Sequence, residues 1–141
     1  MYKKTMLGLE QSQSAIDAMI KHHQSHPEMS AIAVAVVDDV GLLIAYARTD
    51  GSRTNISKNA IKKAYTAAIR GMNTEDYEKM LEGRGWRVAD FGDPMLIAGP
   101  GGIAIHDPSD GSVIGGIGVA GLPPGSGDDD MALIGLEAMN L

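Results

Sequence analysis

Ser112–Gly121 reads SVIGGIGVAG, a run of strand length in which Gly115, Gly116, Gly118 and Gly121 carry no side chain. Glycines inside a strand mark a place where something approaches the backbone closely: a helix, a symmetry mate or a flat ligand. The stretch Gly116-Ile117-Gly118-Val119-Ala120-Gly121 also matches G-x-G-x-x-G. In a dinucleotide site the third glycine must lie in the opening turn of a helix, so that the pyrophosphate meets free N–H groups. Here Pro123, Pro124 and Gly125 block a helix until Asp128, and no βαβ unit surrounds the motif. The close-approach reading is therefore preferred.

The remaining chain supplies hairpins more than βαβ units. Apolar residues at helical spacing from Thr5 to about His23 predict a first helix, ended by His26-Pro27. Ala31–Val37 (AIAVAVV) predicts a central strand covered on both faces. The Asp38-Asp39-Val40-Gly41 turn joins it to a second strand over Leu42–Ala47. Ser57 is the expected cap of a helix reaching about Gly71, with Ala60, Ile61, Ala64, Tyr65, Ala68 and Met72 as its buried stripe. Those alanines would let it sit close to a sheet. A shorter helix follows from a Thr74 cap to Leu81, and Gly83–Asp93 reads as irregular. Met95–Ile97 is a short strand candidate, and Gly101–His106 with Ser112–Gly121 forms a second hairpin. Asp128–Asp130 open a last helix that runs to about Asn140 and is apolar nearly all round. The order α-β-β-α-α-β-β-β-α predicts an α+β fold over residues 1–141, one domain with helices packed on a largely antiparallel sheet.

Composition removes several classes of function. The 141 residues contain no cysteine, which excludes disulfides, a thiolate nucleophile and cysteine-ligated metal. A net charge of −6 argues against binding a nucleic-acid backbone, which rewards cationic surfaces. No stretch approaches the ~20 apolar residues of a membrane span. Lys3 and Lys4 are followed by Glu10 before any signal-peptide core, so a cytoplasmic location is expected.

Three constellations bear on chemistry. His22, His23 and His26 (HHQSH) place two imidazoles on one helical face, but no third ligand is evident and the general-base Glu of a zinc helix is missing. Imidazoles at a helix C-terminus are the preferred reading, and no metal site is expected. Asp128–Asp130 likewise read as an acidic first turn. Lys63, Thr66 and Arg70 define a polar edge on the middle helix, and Arg48 ends the second strand. Arg48 and Lys63 together could grip an anionic group if the strand end lies over the helix.

The blocks Ala31–Ser52, Ala60–Ala68, Pro100–Ile105 and Gly111–Gly121, followed by the Asp-rich helix start, resemble the GlcG/HbpS-like family, also seen at the C-terminal end of the propanediol-utilisation corrinoid adenosyltransferase. The resemblance implies a profilin-like fold with a five-stranded antiparallel sheet, homo-oligomers, a setting among catabolic operons, and haem or another flat carboxylate-bearing ligand in some members. Matched residue by residue, Asp38, Gly41, Arg48, Asp50 and Gly51 fall on the V-V-D-x-x-G…R-x-D-G block. Lys63 and Thr66 fall on the K-A-x-T-A helix, and Gly101, Gly102, Gly115, Gly118 and Gly121 on the glycine blocks. Gly83–Asp93 has no counterpart in the pattern.

The leading functional expectation is a small-ligand-binding module taking haem or a related carboxylated cofactor at an oligomer interface. Arg48 and Lys63 would meet carboxylates, Thr66 would face the ligand, and Gly101, Gly102, Gly118 and Gly121 would allow close approach. His106 is the outside candidate for an axial ligand. The alternatives are a catabolic enzyme acting on a small carboxylated metabolite, with Asp38, His106 or Asp129 as acid or base, and a ligand-free accessory oligomer.

Overall fold

The structure, a computed structural model, describes residues 1–123 and 127–141. Pro124 and Gly125, read above as helix blockers, lie outside the described residues. The elements are α1 (Leu9–Gln24), β1 (Ala33–Asp38), β2 (Leu43–Arg48), α2 (Thr54–Arg70), α3 (Thr74–Arg84), a 3-10 turn (Val88–Phe91), β3 (Gly102–His106), β4 (Val113–Ala120) and α4 (Asp128–Ala138). The strands form one antiparallel sheet in the order β2-β1-β4-β3.

The two sheet faces are built from different side chains. Val34, Val36, Ile103, Ile105, Ile117 and Val119 point to the face covered by α1 and α4, where Ile16, Met19, Met131 and Ala132 complete the main core. The opposite face presents Ala33, Ala35, Val37 and Ala120 to Ala60, Ala64 and Ala68 of α2. Gly116 and Gly118 share this face. A Cβ on Gly118 would run into the Ala60 carbonyl, and one on Gly116 into the Ala64 carbonyl. Of the three occupants that glycine-rich strands admit, α2 is the one present. It lies almost on the backbone at Gly116 and Gly118 because these glycines, facing the small alanines of α2, have no side chain to hold it away.

Among the described residues the sheet has four strands, not the five expected. Met95–Ile97 is not a strand, because its polar groups are bound by a helix. The buried Thr66 hydroxyl accepts a hydrogen bond from the Ile97 amide (2.9 Å) and donates to the Met95 carbonyl (3.4 Å). The β3 edge it might have paired with is also taken: Gly102 N–H donates to the Thr74 hydroxyl (2.8 Å) and Ala104 N–H to Asn73 Oδ1 (3.1 Å).

Three helix starts also differ from expectation. The first helix begins at Leu9, with Gly8 at its cap position, and not at Thr5. Ser57 does not cap α2: its amide already donates to the Arg53 carbonyl, so the helix begins a turn earlier at Thr54. Thr74 is the first residue of α3, whose cap position is Asn73. Inside the segment read as irregular, Val88–Phe91 forms the 3-10 turn, closed by the Arg87–Asp90 pair.

Candidate functional site

Antiparallel pairing sorts the candidate residues between two ends of the sheet. At one end Asp38 stands opposite Gly115, and His106 opposite Val113. At the other, Ala33 stands opposite both Ala120 and Arg48. Lys63, Gly101, Gly121 and the start of α4 belong to this second end.

Here a cavity of about 400 Å³ opens between α2, the 97–100 segment and the turn after β4. Ile56, Ile97, Ala98, Pro100, Ala120 and Leu122 give it apolar walls, and Asn59, Lys63 and Asp128 are its polar side chains. A smaller cavity of about 330 Å³ adjoins it across Ile56 and Gly121, lined also by Ser52, Arg53 and Asn55. Both volumes lie in the range of small-ligand pockets.

Lys63 is the centre of the polar end. Its ammonium donates to the Val119 carbonyl and to Asp128 Oδ2, each at 3.1 Å. The Lys63 and Asp128 side chains are only 12 % and 11 % exposed. Asp128 also accepts the Leu122 amide, while neighbouring Asp129 accepts the Gly101 amide at 2.7 Å. These acids therefore hold the two chain segments beside the cavity, beyond their place in an acidic first turn. Burial pushes the Asp128 carboxyl above its usual range despite Lys63. Burial likewise raises Asp129, helped by the Glu75 carboxylate and opposed by the Gly101 amide and Lys63.

The single chain does not bring every candidate to this place. Arg48 is exposed at the end of β2, on the α2 side of the sheet. It stands two strands from Ala120, roughly 10 Å across the sheet, and lines neither of these cavities. Thr66 braces the cavity wall through its backbone contacts and does not line the space. Gly118 lies beneath Ala60, and Gly102 beneath Thr74. Gly101 and Gly121 both take φ of +118°, a region that favours glycine. A Cβ on Gly101 would meet the Val119 carbonyl and the Lys63 ammonium. Asp38 caps its own turn through the Val40 and Leu42 amides, and exposed His106 bonds the Gly111 carbonyl. Asp129 is the one acid–base candidate at the cavity end. Among the described residues no group of three potential metal ligands converges. His22 and His26 stack at 4.3 Å at the end of α1.

Sequence reasoning missed Asn59, Ile56 and the 97–100 wall. One signal was available: Asn59 and Lys63 are four residues apart, hence on one face of α2.

These features define an α+β protein with a glycine-backed helix and a small cavity at one sheet end. The family model described as haem degrading protein HbpS-like matches residues 7–137, and the chain belongs to this HbpS-like family. Protein GlcG of Escherichia coli (strain K12) is 30% identical over 117 residues, covering 83% of this chain and 84% of that protein. A double mutant of Streptomyces reticuli HbpS superposes with a TM-score of 0.84 at 28% identity, over 97% of this chain and 89% of the other. PduOC, crystallised as a haem complex, shares the fold with a TM-score of 0.84 at 23% identity, over 96% of each chain. No helix among the described residues is long and apolar enough to cross a membrane.

Proposed function

We propose that this protein is a small-ligand-binding module. Its ligand is haem or a related planar carboxylated cofactor, held where copies of the chain meet. The observation that carries this reading is the apolar-walled cavity of about 400 Å³ beside Gly121, in a chain of the HbpS-like family. The walls suit the flat body of such a ligand. Arg48, on the same side and at the same end of the sheet, has no ion-pair partner among the described residues; it and Arg53, which lines the adjoining cavity and is likewise without an ion pair, are the cations there that could meet a carboxylate.

The lining contains no His, Met or Tyr, and His106 lies at the far end of β3. One chain therefore supplies apolar walls that suit the organic part of such a ligand, and none of these axial ligands at the cavity for a haem iron. Titration with haemin tests the reading. A Soret band saturating at micromolar haemin, and weakened about tenfold in affinity by Arg48→Ala, is expected. No band at those concentrations overturns the cofactor assignment.

One observation favours a second reading, an enzyme acting on a small carboxylated metabolite. Burial, helped by the Glu75 carboxylate, raises the Asp129 carboxyl above its ordinary range at the sheet end that carries the cavity, where it holds the Gly101 amide; such an environment suits a proton-transferring group. Turnover of such a metabolite, abolished in Asp129→Asn, would replace the binding-module reading; turnover unchanged in that variant would remove Asp129 from the chemistry.

A further inference from the structure

Resting on the ligand-binding reading above, the two adjoining cavities divide the work of holding a ligand. We infer that the smaller cavity seats one carboxylate of the ligand against Ser52, Arg53 and the opening turn of α2, while the ligand's apolar body lies in the larger one.

The start of α2 is left without a cap. Its first helical bond runs from the Ser57 amide to the Arg53 carbonyl at 3.1 Å, and no side chain caps the end. The amides of Thr54, Asn55 and Ile56 therefore have no acceptor within the helix. No acid stands in the first turn, although carboxylates favour that position. Two independent observations set this terminus apart from an ordinary one. Ser52, together with Arg53, Asn55 and Ile56, lines the cavity of about 330 Å³ that opens there. The Ser52 hydroxyl is shut off from solvent and has no hydrogen-bond partner, although the amide of the same residue is bound to the Thr49 carbonyl. A buried hydroxyl left unpaired is costly unless a guest bonds it. Arg53 is exposed and forms no ion pair among the described residues, so its guanidinium fork is unspent.

The charges at this sheet end favour an anion in the smaller cavity. Arg48 and Arg53 flank the turn between β2 and α2 with two unpaired positive charges, and Asp50 between them offsets one. In the larger cavity Lys63 and Asp128 cancel. The acids beyond that pair, Asp129, Asp130, Glu75 and Glu78, line neither cavity, and Glu28 and Asp50 do not line the smaller one. A carboxylate seated there would meet a surplus cation and unpaired N–H and O–H donors, whose bonds strengthen when the acceptor is ionised. Ile56 and Gly121 line both cavities, so one ligand can reach from the apolar walls to this seat. The ligand class is an apolar body bearing a short carboxylate arm.

3-Phenylpropanoate has that form, and 3-phenylpropanamide is its neutral counterpart. Each would be titrated against the full chain at pH 7 and followed by the NMR shifts of the Asn55 and Ile56 amides. The acid is expected to bind at least about tenfold more tightly than the amide. Ser52→Ala and Arg53→Gln should each weaken the acid about tenfold. Lys58→Gln removes an exposed charge of α2 that lines neither cavity, and should change that affinity less than about twofold. A smaller preference for the acid in the unmodified protein, or no shift with either probe, overturns the inference, and that comparison needs no variant to fold. So does full affinity in Ser52→Ala or Arg53→Gln, or a loss from Lys58→Gln as large as that from Arg53→Gln. A haemin Soret band without an acid preference overturns the seat and leaves the cofactor assignment standing. An acid preference without a Soret band sinks the cofactor assignment alone.

Discussion

Among the described glycines Gly118 is the most tightly covered, because the Ala60 carbonyl of α2 occupies the space of its absent side chain. Gly118→Ala must push α2 off the sheet, and a loss of more than about 4 kcal/mol is expected in chemical denaturation. Lys63 poses the opposite problem, a buried charge with a partner. Lys63→Ala strands Asp128, and removal of one member of such a pair costs about 3–5 kcal/mol. Asp129 is different again. Its carboxyl is raised in the folded state, mainly by burial, so the fold binds this proton more tightly than the unfolded chain does. The penalty for its charge is absent below the ordinary carboxylate range and is complete above the raised value. Asp129→Asn retains an oxygen for the Gly101 amide. Its melting temperature should exceed that of the unmodified protein at pH 7, with the difference gone by about pH 3.

At the scale of elements, the edge of β3 is closed by two side chains from the start of α3. Thr74→Val removes the hydroxyl that satisfies a buried Gly102 amide, and should cost about 1–3 kcal/mol. Amide exchange should quicken in β3 before β1. Both hairpins and all four helices were legible in the sequence, because their apolar periods and turn residues agree. The glycine strand was legible as a site of close approach, and the alanine stripe of α2 pointed to a closely packed sheet. Met95–Ile97 was misread because three apolar residues resemble a strand wherever they fall. Only the fold shows that Thr66 has taken their polar groups. Lys63 was recognisable as a candidate, whereas its neutralisation by Asp128, 65 residues away, is a product of folding. Where Arg48 lies relative to the cavity follows from the strand order, which spacing along the chain does not contain.

For the whole molecule, the proposed function would tie assembly to ligand capture at the cavity. Its walls come from α2, the 97–100 segment and the turn after β4, and no covering element stands over it among the described residues. A ligand held between copies would therefore stabilise contact between subunits as well as each fold. At about 100 times its dissociation constant, a ligand bound only by the native state adds ~2.7 kcal/mol. Native mass spectra and melting curves recorded with and without haemin should move together. A rise in melting temperature with no change in subunit number would place the ligand within a single copy.

The helix resting on bare main chain also limits how this scaffold can be re-engineered. Gly115, Gly116 and Gly118 have no room for a side chain, since a Cβ there would run into a helix or a neighbouring strand. Asn59, Ile97 and Ala98 border the cavity and stand outside the clusters that join α2 to the sheet, whereas Ile56 packs against one of them. A directed-evolution library confined to those first three positions would retool the pocket for new guests, while one drawn from the glycine stretch would return mostly misfolded clones.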